Sequence, residues 1–503
     1  MTLSQAMSLR PYPHLYEINA RLFARRLSAQ YRRAVTLAGI PDKEWQLIRD
    51  RGFDLVWLMG SWQRSPAARR EALLNPDLRR EFDRVLPGWS NEDVAGSPYA
   101  INDYRLDPEL GKQDELAALK AQLNRHGIRL MVDFVPNHLA LDHPWTLSHP
   151  EWFVTGTEAD IRTHPEWFFA TGKGHHLAHG RDPNFLPWTD TAQVNIYSPA
   201  LREAMTDQLL QIAGVADGVR CDMAMLVLNE VFERTWGETL RKYPRPVTEF
   251  WTEAIATVKK KHPGFLFLAE AYWGYESRLQ QLGFDFTYDK SLYDRLRYAT
   301  AGDIRNYLIA DNIYQARSVR FIENHDEPRA ATAFGSERSL AAAVILATIP
   351  GLRLFHDGQL EGRRLRLPVQ LVRPPEEVPD ARISRFYDRL LAITNEPVFH
   401  EGQWALLANS PAWNGNESHQ NLLTWLWRRG EQLKIVAVNY SPNPAQGWLT
   451  LHLPLESLTK VTFRDELSGA TYIRDADELR HQGLYVDLLP YRYHLLDMTG
   501  VST

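Results

Sequence analysis

Strand-like and helix-like patterns alternate along the first 400 residues of this 503-residue chain, and the alternation predicts an α/β fold. The strand patterns are nearly continuous apolar runs, which are typical of strands buried on both faces of a parallel sheet. Eight such runs separated by amphipathic stretches predict a (β/α)8 (TIM) barrel. A change to short strand patterns after residue 400 predicts a second, antiparallel β domain.

The strand patterns of the barrel come first because they position any active site. They are Leu15–Phe23, Phe53–Gly60, Ile128–Val135, Gly218–Asp222, Phe265–Glu270, Phe284–Tyr288, Val319–Glu323 and Leu352–Phe355. The clearest helix patterns between them are Gln113–His126, Leu201–Ile212, Phe250–Lys261, Leu340–Ile349 and Arg382–Ile393. Since barrels of this kind place their active sites at the carboxyl ends of the strands, we expect functional side chains there.

Two long segments interrupt the alternation. Ser61 to Gly96 follows the second strand and contains a charged, helix-like piece, Pro66–Val85. Leu139 to Tyr197 follows the third strand and is too long for an ordinary loop, which predicts a small inserted domain. It holds two copies of His-Pro-Glu-Trp-Phe, starting at His149 and His164, a repeat too short to predict repeated structure. Both segments should shape a cleft at the catalytic end.

The last hundred residues predict an antiparallel β-sandwich. Its strand patterns are Leu422–Trp427, Leu433–Asn439, Trp448–Leu453, Val461–Phe463 and Tyr491–Leu496. The predicted domains are therefore a barrel over 1–138 and 198–400, an inserted domain over 139–197, and a C-terminal sandwich over 401–503.

Composition narrows the class of protein. A formal net charge of −5 and a pI near 6.4 argue against a nucleic acid partner. No apolar run is long enough to span a membrane. The N-terminal residues, Met1 to Arg10, lack the apolar core of a secretory signal. The single cysteine, Cys221, suits a reducing compartment, so we expect a cytoplasmic protein. The oligomeric state is left open.

Four segments join an apolar run to an acidic residue. They are Asp133-Phe-Val-Pro-Asn-His138, Gly218-Val-Arg-Cys-Asp222, Phe267-Leu-Ala-Glu270 and Phe321-Ile-Glu-Asn-His-Asp326. Asp222, Glu270 and Asp326 would meet at the strand ends although like charges repel, and such a cost is typical of catalytic sites. A pair of carboxylates about 5 Å apart is what retaining cleavage of a glycosidic bond requires. The sequence therefore predicts an enzyme that acts on sugars.

The carboxylates differ in their expected surroundings. Arg220 and Asp222 lie two apart on one strand and face the same way, so the guanidinium should lower the pKa of Asp222 and keep it ionised. Glu270 follows an apolar run that should raise its pKa, as a general acid needs. The alternative to catalysis is that Arg220 and Asp222 form a structural ion pair and that Glu270 caps a helix or pairs with a cation. His325 and Asp326 could bind sugar hydroxyls or form an ordinary hydrogen-bonded pair.

Taken together, these segments resemble the signature regions of the α-amylase superfamily, glycoside hydrolase family 13, over roughly the first four-fifths of the chain. That family has a (β/α)8 barrel, a domain B inserted after the third strand and a C-terminal β domain. The resemblance implies that Asp222 is the nucleophile, Glu270 the acid/base and Asp326 the transition-state carboxylate. It further implies supporting, stacking or structural roles for Tyr99, Asp133, His138, Arg220 and His325.

The chain departs from the family at two places. Family members that cut within chains carry Lys-His shortly after the nucleophile to contact leaving-group sugars, and this chain has Met225 and Leu226. The family's calcium-binding aspartate before the third helix is absent from Gln193-Val-Asn195. Asn137 could still offer an oxygen, but other hard ligands are not evident, so a structural calcium is possible and not favoured, and no cofactor is expected. We expect the loop histidines His175, His176 and His179 to make surface or sugar contacts and not to bind zinc.

The leading hypothesis is a retaining α-glycoside hydrolase acting on malto-oligosaccharides or related α-glucans. The first alternative is a transferase with the same carboxylates, in which a sugar hydroxyl or phosphate replaces water. The second is a non-catalytic sugar-binding relative, which retention of all three carboxylates disfavours. Linkage, chain length and endo or exo action are left open. Four tryptophans of the inserted segment either stack on sugar rings or pin the loop: Trp145, Trp152, Trp167 and Trp188.

Overall fold

A computed structural model describes residues 9–172, 174–237, 239–240, 243–452 and 459–501. Most of the N-terminal segment Met1 to Arg10 and the end of the predicted strand Trp448–Leu453 lie outside this part of the chain. Within it, no helix combines the length and apolar character needed to cross a membrane.

The predicted (β/α)8 barrel is confirmed. Eight parallel strands close into a barrel in chain order. They are β1 (His14–Asn19), β2 (Leu55–Met59), β3 (Arg129–Phe134), β4 (Gly218–Cys221), β5 (Leu266–Ala269), β6 (Phe286–Tyr288), β7 (Ser318–Arg320) and β8 (Leu352–His356). The predicted first strand ran too far, because Asn19 caps a helix that begins at Ala20, its side-chain oxygen accepting a hydrogen bond from the Leu22 N–H.

Helices surround the barrel and extend from its ends. In the described part of the chain they are Ala20–Tyr31, Asp42–Asp50, Pro66–Leu74, Pro76–Val85, Glu115–Arg125, Trp145–Ser148, Glu158–Thr163, Pro199–Val215, Asn229–Trp236, Phe250–Lys261, Glu276–Gln281, Lys290–Tyr298, Ala301–Leu308, Asn312–Ala316, Ala330–Ala333, Ser336–Thr348, Ala381–Thr394, Val398–Glu401 and Ala476–His481. The helix-like piece predicted over Pro66–Val85 is helical, and it is divided into two helices. Asn75 ends one helix and caps the next, and Pro76 begins the second where its missing N–H costs nothing.

The segment predicted as an inserted domain holds two small antiparallel sheets, His138–Ala140 with Thr191–Gln193 and Phe168–Ala170 with His176–Ala178. Both copies of His-Pro-Glu-Trp-Phe form a 3-10 turn in which the histidine ring stacks on the tryptophan, at 4.0 Å in the first copy and 3.8 Å in the second. The short repeat therefore does specify repeated local structure. A further two-stranded sheet, Trp62–Arg64 with Ile101–Leu106, adjoins β2.

The C-terminal region is an antiparallel sandwich, as predicted. A six-stranded sheet comprises, in spatial order, Gln403–Leu406, Leu422–Arg429, Gln432–Asn439, Tyr493–Val501, Lys460–Asp465 and Thr471–Asp475. A three-stranded sheet comprises Asn409–Pro411, Ala445–Leu449 and Leu484–Leu488. Apolar side chains of both sheets share one core. The indole N–H of Trp427 donates to the Thr348 carbonyl at 2.6 Å, which fastens the larger sheet to the barrel.

Candidate active site

A cavity of about 350 Å³ opens at the carboxyl ends of the barrel strands. All three predicted carboxylates, Asp222, Glu270 and Asp326, line it together with Tyr99 and His138. Side chains from separate strands therefore converge as the sequence predicted. Asp133, Arg220 and His325 lie behind this lining and are almost fully buried.

One guanidinium holds two of the carboxylates. Nη1 of Arg220 lies 2.7 Å from Oδ1 of Asp222, and Nη2 lies 2.7 Å from Oε2 of Glu270. Arg220 itself is fully buried beneath the rings of Trp57, Tyr99 and Tyr288. A planar cation shared in this way keeps the two carboxyl groups close and neutralises part of their repulsion.

Glu270 has the surroundings expected of a general acid. Its Oε1 accepts a hydrogen bond from the Tyr272 hydroxyl at 2.7 Å, and its Oε2 accepts one from the Met223 N–H at 2.7 Å. Met223 has a φ of 40°, a strained conformation that presents its N–H to the carboxylate. Burial raises the pKa of Glu270 to about 7, against the lowering effect of Arg220. The carboxyl group is therefore able to hold and release a proton near neutral pH.

Asp222 differs from the prediction in the direction of its pKa. Burial raises the pKa, and the charge and hydrogen bond of Arg220 counteract this effect without reversing it. The sequence analysis considered Arg220 alone and expected a lowered value, because a pattern of residues does not show the depth of burial. Oδ1 binds Arg220, while Oδ2 accepts no hydrogen bond from any described residue. Oδ2 is thus the oxygen left free to attack a substrate.

Asp326 belongs to a chain of charged groups. Its Oδ2 lies 3.0 Å from Nε2 of His325, whose Nδ1 lies 2.5 Å from Oε1 of the fully buried Glu17 on β1. Burial opposes the charge on His325, but the two carboxylates outweigh it and raise the pKa of His325 to about 10. Burial likewise opposes the charge on Asp326, but the cationic His325 brings its pKa to about 2. Asp326 therefore presents a permanent negative charge to the cavity.

Of the other predicted residues, Tyr99 and His138 line the cavity and Asp133 does not. Tyr99 stacks on His325 at a ring distance of 5.4 Å, and its hydroxyl lies 2.6 Å from Nε2 of that histidine. Burial lowers the pKa of His138 to about 3, so its imidazole is neutral. Asp133 faces inward, where it accepts hydrogen bonds from Trp57 and from the Gly60 N–H, and it does not line the cavity. Its position fits a structural role.

Sequence analysis missed several residues of the site. Glu17 and Tyr272 bind the functional groups directly, and Asp190 and Gln370 line the cavity. Tyr272, two residues after Glu270, was the nearest available signal. The others lie far from the four segments and carried no local pattern that set them apart.

The aromatic and histidine residues of the inserted segment have separate roles. Trp188 lines the cavity, with its ring 5.0 Å from that of His138. Trp152 and Trp167 instead stack on their neighbouring histidines, and Trp145 packs against Trp152, so these three pin the loop. The expected surface or sugar role of His179 is wrong, because it is buried and bonded to the Thr191 carbonyl.

The family model for the alpha amylase catalytic domain matches residues 36–364, which is more than half of the chain. The chain belongs to the alpha-amylase family. The match spans all three carboxylates and the inserted segment, and it accounts for the resemblance of the four segments.

Among curated members of the alpha-amylase family, Alpha-amylase MalA of Haloarcula japonica is 29% identical over 284 residues, covering 54% of this chain and 38% of that protein. The alpha-1,4-glucan:maltose-1-phosphate maltosyltransferase of Rhodospirillum rubrum is 26% identical over 336 residues, covering 64% of this chain and 41% of that protein. The chain thus spans well under two-thirds of the length of these relatives. They include both an amylase and a transferase.

Solved structures in the alpha-amylase family share the fold over the whole chain. The maltogenic alpha-amylase AmyB of Thermotoga neapolitana aligns with a TM-score of 0.69 at 19% identity, covering 97% of this chain and 98% of that one. An alpha-amylase of Lactobacillus plantarum aligns with a TM-score of 0.65 at 19% identity, with the same coverage. These likenesses confirm the barrel and the sandwich together.

The calcium site of the alpha-amylase family does not fit the residues present here. The buried Gln193 places its Nε2 at 2.8 Å from the Asn137 carbonyl, 3.0 Å from the Asn137 side-chain oxygen and 3.1 Å from the Val194 carbonyl. These oxygens already accept hydrogen bonds from the Gln193 amide, so they are not available to a calcium ion. Calcium needs six to eight oxygen ligands. Within the described residues, no group of three or more histidine, cysteine, aspartate or glutamate side chains is arranged so that it could hold a metal ion.

The structure also shows where the residues lie that replace the Lys-His pair after Asp222. Met225 and Leu226 lie in a buried 3-10 turn, Ala224–Val227, which follows Met223. Their side chains pack into the core and do not reach the cavity. Neither side chain is therefore placed to contact a molecule bound in the cavity.

Proposed function

We propose that the protein is a retaining glycoside hydrolase acting on α-glucosidic bonds. The observation that carries the proposal is the single guanidinium of Arg220 between Asp222 and Glu270. A shared cation supports the short separation, about 5 Å, at which one carboxylate attacks while the other transfers protons. Inverting enzymes need a wider gap for an intervening water.

The mechanism assigns one step to each group. Oδ2 of Asp222 attacks the anomeric carbon while Glu270 gives its proton to the departing oxygen, so the glycosidic bond breaks and a glycosyl-enzyme forms. Asp326, kept anionic by His325, stabilises the positive charge that develops on the sugar ring. Glu270 then takes a proton from water, whose oxygen displaces Asp222 with net retention. Tyr99 provides a ring face against the sugar.

Transfer is the second candidate, because relatives named as maltosyltransferases stand beside relatives named as amylases. Incubation with maltotetraose, followed by proton NMR of the fresh products, tests both proposals. We expect the α-anomer first, from hydrolysis. A β-anomer product would contradict retention. Longer oligosaccharides formed with excess maltose, or maltose 1-phosphate used as donor, would indicate a transferase instead.

The pH dependence of activity should report Glu270. Because this residue must be protonated to act as an acid, kcat/KM should fall as the pH rises through about 7. The Tyr272 hydroxyl stabilises the ionised carboxylate, so Tyr272→Phe should raise the pKa and move the basic limb to higher pH. The exposed Tyr298→Phe serves as the control and should leave the limb in place. A limb that stays put or moves downward in Tyr272→Phe would refute the assignment.

We also propose that the protein requires no calcium, because the Gln193 amide already binds the oxygens that a cation would need. EGTA should change Tm by less than about 1 °C, since a ligand that binds the native state would otherwise stabilise it. Gln193→Glu removes the N–H donors and adds an anionic oxygen, so it should lower Tm and make Tm rise with added calcium. Gln482→Glu, at an exposed position, controls for the change of charge. A large loss of Tm with EGTA in the unaltered protein would disprove the proposal.

A cytoplasmic location is the final part of the proposal. The single cysteine, Cys221, is buried at the end of β4 and forms no disulfide. A chain with one inert thiol suits a reducing compartment. Fractionation of cells that produce the full natural protein, with detection by antibody, measures this directly.

A further inference from the structure

The three-stranded sheet of the C-terminal sandwich has one face in a core and one face in solvent. Side chains alternate along its strands, and those on the inner side, such as Leu449 and Val486, belong to the core shared with the six-stranded sheet. The other side of the six-stranded sheet packs on the barrel through Trp425 and Trp427. The outer face of the smaller sheet therefore points away from the barrel, and none of its residues lines the carboxylate cavity.

This outer face carries aromatic side chains where a solvent-facing strand usually carries polar ones. Trp448 and Tyr485 lie opposite each other on neighbouring antiparallel strands, with ring centroids 5.1 Å apart, and both are half-buried. Trp413, just after the strand Asn409–Pro411, is 58% exposed. Its indole forms no hydrogen bond or ring contact with any described residue. Packing within the sheet accounts for the Trp448–Tyr485 pair and leaves the exposed ring of Trp413 without a role.

Hydrogen bonds place Trp413 beside the aromatic pair. The indole N–H of Trp448 donates to the carbonyl of Ala412, the residue before Trp413, at 3.3 Å. Three residues after Trp413, Nδ2 of Asn416 lies 3.4 Å from Oε1 of Gln446. The loop that carries Trp413 is therefore held at both ends against the strand that carries Trp448.

Polar groups on the same face remain available to a ligand. Gln446 and Asp487 point outward beside the rings, and Nε2 of Gln446 donates to Oδ1 of Asp487 at 3.1 Å. Oδ2 of Asp487 and the hydroxyls of Ser410 and Tyr485 form no hydrogen bond with any described residue. Because a hydroxyl group both donates and accepts, a sugar can bind the carboxylate, the phenol and the serine alike.

The charge of this face favours one class of ligand. Asp487 is the only charged residue in the three strands. Burial and the charge of Asp487 raise the pKa of Tyr485, and no basic side chain lowers it. Nucleic acids and anionic membranes bind through lysine and arginine, which these strands lack. Exposed rings that can pack on the C–H faces of a pyranose, with hydroxyl-binding groups between them, instead fit a neutral carbohydrate.

We propose that the outer face of the three-stranded sheet is a second α-glucan-binding site, separate from the carboxylate cavity, with Trp413 and the Trp448–Tyr485 pair as its two platforms. The identity of the ligand rests on the proposed function, and the site itself rests on the exposed rings. A polymer long enough to reach both sites binds more tightly than either site alone allows, whereas a short oligosaccharide gains nothing. The sandwich thereby favours long glucans over short ones.

Native gel electrophoresis with glycogen in the gel tests the inference without turnover when the full chain carries Asp222→Asn. Glycogen should retard this protein, and adding Trp413→Ala should weaken the apparent binding at least about fivefold, because the advantage of two sites is lost. Tyr298→Ala removes a ring that is 72% exposed on the helix Lys290–Tyr298, and it should change nothing. Equal retardation with and without Trp413→Ala, or no retardation at all, would overturn the inference.

Turnover separates the two sites. In the chain that keeps Asp222, Trp413→Ala should leave kcat/KM for maltotetraose within about twofold and lower the rate on dilute glycogen at least about fivefold. Equal losses on both substrates, or no loss on either, would overturn the inference. If the unaltered chain cleaves neither substrate, the proposed function fails, and the gel assay still decides whether the sheet binds glucan.

Discussion

Asp222→Asn is expected to abolish turnover of malto-oligosaccharides, with kcat lower by about 10⁴-fold or more, because loss of a nucleophile removes the covalent route. The amide is nearly isosteric with the carboxylate and leaves Arg220 paired with Glu270, so the fold should survive. Initial rates with maltotetraose measure the effect, and circular dichroism melts check folding.

The control for this variant is Asp207→Asn, an exposed change of the same chemistry on the helix Pro199–Val215. It should keep the full rate. Substantial activity in Asp222→Asn that persists after repurification would remove Asp222 from the mechanism. A rate loss accompanied by unfolding would instead support the alternative that Arg220 and Asp222 form a structural ion pair.

Glu270→Gln should slow cleavage of natural oligosaccharides by about 10²–10⁴-fold, the usual contribution of a general acid. Substrates whose leaving group needs no proton, such as α-glycosyl fluorides, should still form the glycosyl-enzyme. The two kinds of substrate should differ because only the natural oligosaccharides depend on the proton that Glu270 holds near neutral pH. A burst of fluoride followed by slow turnover is the expected result, since the same residue activates water in the second step.

Added azide sharpens this prediction. As an anionic nucleophile it needs no general base, so it should restore turnover of the fluoride substrate in Glu270→Gln and yield an α-glycosyl azide. Glu203→Gln is the matched surface control and should show neither burst nor rescue. Equal losses for fluoride and oligosaccharide substrates, with no effect of azide, would show that Glu270 is not the acid/base.

The sequence predicted the parts of this site that depend on local pattern. A strand presents alternate residues to the same side, so Arg220 and Asp222 could be expected to meet, as they do. The barrel brings the ends of all its strands together, which made convergence of Asp222, Glu270 and Asp326 predictable. The break at Asn75 can also be predicted from the sequence, because the Asn-Pro pair is typical of a helix start.

Other parts depend on contacts between distant residues. Glu17 binds His325 across 308 residues, and neither residue alone reveals the other. Gln370 reaches the cavity from the loop after β8, which has no regular structure to predict. The pKa of Asp222 required knowledge of burial as well as of its neighbour Arg220. Gln193 could be recognised as a departure from the family, but only the structure showed what its amide binds.

The shared guanidinium of Arg220 has a practical consequence for synthesis. Removing the carboxylate of residue 222, as in Asp222→Gly, also removes a negative charge that raises the pKa of Glu270, and it leaves Arg220 to Glu270 alone. The pKa of Glu270 should then fall, which favours the ionised carboxylate that deprotonates an incoming sugar hydroxyl. With a β-glycosyl fluoride as donor, such a variant would join sugars without being able to hydrolyse its own product. The geometry that serves bond cleavage thus makes this chain a starting point for building α-glucans.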